Sequence, residues 1–88
     1  MIPKHGVATL AETVALMNST DYQERLKAEY YQLRIRYEGL INMILTVRKG
    51  TNKFPVTAPL ELYEAQANTM ASYLKILELR ATNDKIEL

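Results

Sequence analysis

The chain has 88 residues, room for one small domain and too little for two. It has no cysteine and a single histidine, His5, which excludes disulfides, a thiolate zinc site and any imidazole cluster. Its 11 basic and 10 acidic side chains give a formal charge of +1, far from the strongly basic balance of a general nucleic-acid binder. No apolar run approaches the roughly 20 residues of a membrane span. The start, Met1-Ile-Pro-Lys-His-Gly6, lacks the long apolar core and cleavage site of a signal peptide, so a cytoplasmic protein is expected. With 48% hydrophobic residues the chain should fold. A chain this small buries a modest core alone, and without disulfides or metals, association is the expected source of further burial.

Residues 1 to 8 read as a loose start, broken by Pro3 and Gly6. Thr9-Leu-Ala-Glu12 has the spacing of a capping box, and Leu10, Val14 and Met17 follow on one face. This predicts a short helix from Leu10 to Met17, with a frayed arm as the alternative. Two turns do not persist alone in water, so the helix must dock.

Asn18-Ser-Thr-Asp21 collects residues that cap helices. Thr20 with Gln23 and Asp21 with Glu24 both have cap spacing, which leaves the start open by one residue. From Asp21 to Lys49, Leu26, Tyr30, Leu33, Tyr37, Leu40, Ile44 and Val47 recur at steps of four and three. That is the 3.5-residue repeat of a helix packed lengthwise on another helix. Gly50 stands where a helix stops. Gly39 lies inside the run, either to admit a close backbone or merely tolerated at about 1 kcal/mol.

Gly50 to Ala58 is the predicted loop, with Phe54, the sole phenylalanine, expected to plug the end of the bundle. Pro59 suits the first turn of a helix, so the second long helix is predicted from Pro59 to Thr82. Its seam is Leu60, Tyr63, Ala67, Met70, Leu74, Leu77 and Ala81. Asn83 is a plausible cap, and Ile86 and Leu88 are placed to fold back. The expected fold is all-α: a long antiparallel helical hairpin with a short N-terminal helix, one domain over 1–88 with residues 1–18 as its arm.

Each helix also carries a second stripe. On the first it runs Lys27, Tyr31, Arg34, Glu38, Ile41, Leu45 and Arg48; on the second, Leu62, Gln66, Thr69, Tyr73, Ile76 and Arg80. Ile35 and Leu79 fall on faces that a bare hairpin leaves in water. Whole apolar stripes point to a further buried surface, supplied by the N-terminal helix on one side and a second copy on the other. A homo-oligomer is therefore expected.

Tyr31 falls between Lys27 and Arg34, and Tyr22 neighbours Arg25. Rings that stack a base beside cations that pair a phosphate are the minimum for a nucleotide site, so Tyr22, Arg25, Lys27, Tyr31 and Arg34 are the candidate ligand contacts. The plainer reading of the same face is a solvated surface with ion pairs Lys27–Glu24 and Arg34–Glu38. Catalysis has little to stand on: no cysteine nucleophile, no Ser–His–Asp set, no Gly-rich phosphate loop and no Glu-x-x-His pair for metals. A non-enzyme with no cofactor and no metal is expected.

The stretch Asp21 to Leu40 resembles the opening of small helical-hairpin proteins of tailed and crAss-like phages. Phe54-Pro55, Pro59-Leu-Glu-Leu62, Gln66-Ala-Asn-Thr-Met70, Tyr73-Leu74, Ile76-Leu-Glu78, Arg80-Ala81 and Ile86-Glu-Leu88 extend the likeness over residues 21–88. The chain departs at Ala58, where such proteins often carry a cysteine. The pattern is similar to that of phage sponge proteins, which oligomerise and sequester the cyclic nucleotide or cyclic ADP-ribose signals of CBASS and Thoeris defence without cleaving them. What the resemblance implies is a nucleotide second messenger as partner, held between protomers. The shared positions are mainly packing residues, so the resemblance assigns no binding residue. The rival reading is a helical module that docks a host or phage protein; a nucleic-acid accessory is disfavoured by the near-neutral charge.

Overall fold

The computed structural model describes residues 7–53 and 55–88. The expectations for the first six residues and for Phe54 as a plug lie outside them. Three helices follow in order: α1 (Thr13–Met17), α2 (Tyr22–Lys49) and α3 (Leu60–Asn83).

α2 starts where its chemistry directs. Asp21, in extended conformation, accepts the Gln23 N–H at 2.9 Å, so it and not Thr20 is the cap. At the other end Gly50 takes φ 73°, and the Gly50 and Thr51 N–H groups close back on the Val47 and Thr46 carbonyls at 3.1 and 2.9 Å. Pro59 stands just before α3 instead of inside it, its carbonyl accepting the Leu62 N–H at 3.0 Å.

α2 and α3 pack antiparallel, and the cross-links show the order. Tyr22 reaches Asp84, Tyr30 reaches Glu78, Tyr73 reaches Glu29 and Arg48 pairs with Glu64. Every residue of both expected seams is buried or half-buried. The core gathers Leu26, Tyr30, Tyr31, Leu74, Leu77, Ala81 and Ile86. Fully burying a leucine such as Leu77, at 0% exposure, contributes about 1.5–3 kcal/mol.

The tail folds back through a reversal at Lys85, which adopts φ 58°, a left-handed geometry that ordinarily selects glycine. The Ile86 N–H bonds the Ala81 carbonyl at 2.8 Å and the Lys85 N–H bonds Thr82 at 3.2 Å. Ile86 is thereby buried beside Ala81, the apolar contact that accompanies this kind of helix stop. Leu88 packs against the same core, as does Val7 from the other end of the chain.

The N-terminal helix differs from expectation. Its first turn, from Thr9, is a run of three-residue reversals, and α-helix begins only at Thr13. Half of the capping box forms: the Glu12 N–H reaches the Thr9 hydroxyl at 3.3 Å, while the Glu12 carboxylate takes the Thr9 hydroxyl proton and not its N–H. α1 packs on α2 and makes no packing contact with α3. The expected apolar face is turned outward: Leu10, Val14 and Met17 are exposed, and Thr13 is fully buried with its hydroxyl donating to the Leu10 carbonyl at 2.7 Å. Threonine can face inward because this bond satisfies its only polar hydrogen. On α2, Ala28 is also fully buried, a small side chain that lets a neighbour approach.

Among the described residues nothing lies within 4 Å of where a Gly39 Cβ would stand, so no described backbone uses its small size.

Candidate functional site

The five sequence candidates have different surroundings. Tyr22, the first residue of α2, is exposed and held at its hydroxyl, which donates to Asp84 at 2.9 Å and accepts from the Arg80 guanidinium at 2.9 Å. The guanidinium also lies 6.0 Å from the Tyr22 ring centre, within cation–π reach. Arg25 bends back to the Ser19 carbonyl at 3.0 Å and braces the α1–α2 turn. Lys27 is half-buried. Arg34 pairs with Glu38 at 3.8 Å, as the plainer reading expected. Glu24 differs from that reading: the Ser19 hydroxyl donates to it.

Tyr31 corrects the outward-facing stripe. It is 2% exposed, inside the core cluster, with its ring 5.0 Å from Tyr30 in an edge-to-face arrangement at 81°. Its ring is therefore not an open stacking surface between Lys27 and Arg34. The reason is cover from more than one side. α3 takes the seam, and Val7, Ile86 and Leu88 extend the packing around α2 past the stripe where Tyr31 sits. Burial pushes the Tyr31 hydroxyl above its ordinary pKa; the same burial, then the Glu78 carboxylate at 3.0 Å, raises that of Tyr30.

Two features escaped the reading of α2 alone. Toward the open end of the hairpin, Arg80 of α3 joins Tyr22 and Asp84 in one polar network, and Tyr73 of α3 bonds Glu29 in a second. Arg80 and Tyr73 belong to the mixed stripe of α3, which carried the signal. At the opposite end, a groove of about 430 Å³ opens between α2, the loop and α3. Met43, Val56 and Tyr63 wall it, and Asn42, Thr46 and Lys53 bring polar groups to it.

α3 also leaves large apolar side chains open. Leu62, Ile76 and Leu79 are 60, 54 and 57% exposed, and Leu45 on α2 is 47% exposed. Among the described residues no helix is long and apolar enough to cross a membrane, and no cluster of His, Asp or Glu is arranged to hold a metal.

A two-helix scaffold with polar and aromatic groups at both ends and an unpartnered apolar face has the build of a small helical binding protein. The family model Sequestin matches residues 20–83, and the chain belongs to that family. The match runs from the residue before the α2 cap to the last residue of α3, so it covers the hairpin and leaves α1 outside. The phage-protein resemblance read from residues 21–88 rests on the same two helices. No curated protein and no solved structure matches the chain.

Proposed function

We propose that the chain is a phage-encoded sponge that binds and sequesters a cyclic nucleotide or cyclic ADP-ribose signal in the host cytoplasm without cleaving it. The observation that carries this reading is membership of Sequestin over the whole hairpin, a family whose name denotes sequestration. Sequestration requires affinity and no reacting group. In this reading Arg25, Lys27 and Arg34 supply positive charge along the first half of α2, and Tyr31 supports that face from beneath.

The working form is a homo-oligomer. Its support is the mixed α3 stripe that exposes Leu62 and Ile76, with Leu79 exposed on a neighbouring face, apolar surface that a solitary chain gains nothing by exposing. The same stripe is what a docking module for a host or phage protein would use, and this is the second reading.

Calorimetry of the purified chain against cyclic dinucleotides, cyclic trinucleotides and cyclic ADP-ribose isomers separates the two. The sponge gives saturable binding, and the ligand is recovered intact after the protein is denatured. No heat from any of them at tens of micromolar protein would reject the sponge.

A further inference from the structure

We infer that the loop-end groove is a nucleotide subsite, taking a purine base with its ribose against Tyr63 and a phosphate at Lys53. The inference rests on the sponge reading and places the ligand at an end of the hairpin that the α2 candidates do not reach.

Size is the first argument. A volume of about 430 Å³ lies within the roughly 300–1,000 Å³ of small-molecule sites. The second is the division of labour on its walls. Met43 and Val56 are half-buried apolar groups, and Tyr63 is a half-buried ring, so a flat heteroaromatic group displaces water from surface already partly dehydrated. Asn42 carries an amide that both donates and accepts, the complement of a base edge. The Thr46 hydroxyl donates to the Met43 carbonyl at 2.8 Å, so what it still has to offer a ligand is an acceptor.

Charge is the third argument, and it decides between the two ends. At the open end Arg80 and Tyr22 are already engaged with Asp84, and Glu29 takes the Tyr73 hydroxyl. A phosphate there meets two carboxylates. Of the described residues lining the groove none is acidic, and Lys53 is exposed at its rim. At the C-terminal, negative end of α2 the Val47 and Thr46 carbonyls are covered by the Gly50 and Thr51 N–H groups. An anionic ring system is therefore better matched at the loop end.

The test is isothermal calorimetry of wild type, Lys53→Ala, Asn42→Ala and Val56→Trp with cyclic di-AMP, cyclic tri-AMP, cyclic ADP-ribose and adenosine monophosphate. Circular dichroism serves as the check that each variant is helical. Lys53→Ala is expected to weaken binding about tenfold or more, the usual effect of losing a hydrogen bond to a charged group. Val56→Trp, which fills the groove, is expected to abolish binding while the hairpin still melts cooperatively. Wild-type affinity retained by both Lys53→Ala and Val56→Trp would overturn the groove as the site and leave sequestration standing. Wild type that binds none of the probes would overturn both.

Discussion

Tyr31 is where sequence and structure assign opposite roles, so its replacement is the most informative single change. An exposed stacking residue on a helix surface is replaced by alanine within about 0.5 kcal/mol. A ring buried to 2% exposure is different. Truncating a large buried aromatic costs about 3–5 kcal/mol in lost transfer energy and cavity, and the edge-to-face pair with Tyr30 accounts for about 0.5–1.5 kcal/mol of that class of effect. A chain of 88 residues holds in total about 4–13 kcal/mol. Tyr31→Ala is thus expected to remove about a quarter or more of the stability and to lower Tm by more than about 12 °C. Tyr31→Phe keeps the ring and should stay within about 1.5 kcal/mol of wild type. The assay is thermal and urea unfolding followed by circular dichroism. All proteins are compared at one concentration, because association raises apparent stability. A Tyr31→Ala protein that melts within 2–3 °C of wild type, an effect of about 0.5 kcal/mol, would refute the buried placement and restore the outward face.

Lys85→Gly relieves a side chain held at φ 58° and should raise stability by about 0.5–1 kcal/mol; a lower Tm would contradict the left-handed helix stop. Gly39→Ala meets open space and should stabilise α2 by about 0.8–1 kcal/mol. If it instead dissociates an oligomer seen by light scattering, a neighbouring copy and not the chain itself uses that glycine. Ile76→Glu together with Leu79→Glu should leave a helical but monomeric protein; an unchanged molar mass would remove α3 as the interface. The pH dependence has a definite sign. Tyr30 and Tyr31 have folded pKa values raised above 10.0, by burial first, so they bind their protons more tightly folded than unfolded. Their stabilising contribution is complete below the unfolded value and is lost as pH rises through the folded one. Tm should therefore fall above about pH 10, and less steeply in Tyr30→Phe.

The hairpin was legible because its signals agree at several levels. A heptad-like apolar spacing, an aspartate cap, a glycine stop and a proline start each fix a different part of α2 and α3. Ile86 and Leu88 could be placed because apolar residues one turn past a helix end have a nearby core to return to. The α1 face was not legible. In five residues of helix, Val14 and Met17 mark one side and Thr13 another, and which side docks depends on α2, which lies further along the chain. Tyr31 failed for a related reason: counting one seam per helix assumes one neighbour per helix, and α2 packs with α3 and α1 while Val7, Ile86 and Leu88 join the cluster that holds Tyr31. For the site, sequence order grouped residues along α2. The structure instead joins Tyr22 to Arg80 and Asp84, and gathers Asn42, Lys53 and Tyr63 around a groove. Such groupings follow from the antiparallel return of α3 and have no signature in local spacing.

The cross-links between α2 and α3 have a practical consequence for measuring recognition. Tyr22, Tyr30 and Tyr73 each offer a neutral hydroxyl to a carboxylate, whereas Arg48–Glu64 joins two opposite charges. Neutral donors depend far less on ionic strength than full ion pairs do, and charge screening does not weaken the buried apolar seam. Added salt, which shortens the screening length from about 10 Å at 0.1 M to about 3 Å at 1 M, should leave the hairpin nearly untouched. Any loss of affinity across that range then reports the charge on the ligand and its cationic contacts, with the scaffold serving as a constant background.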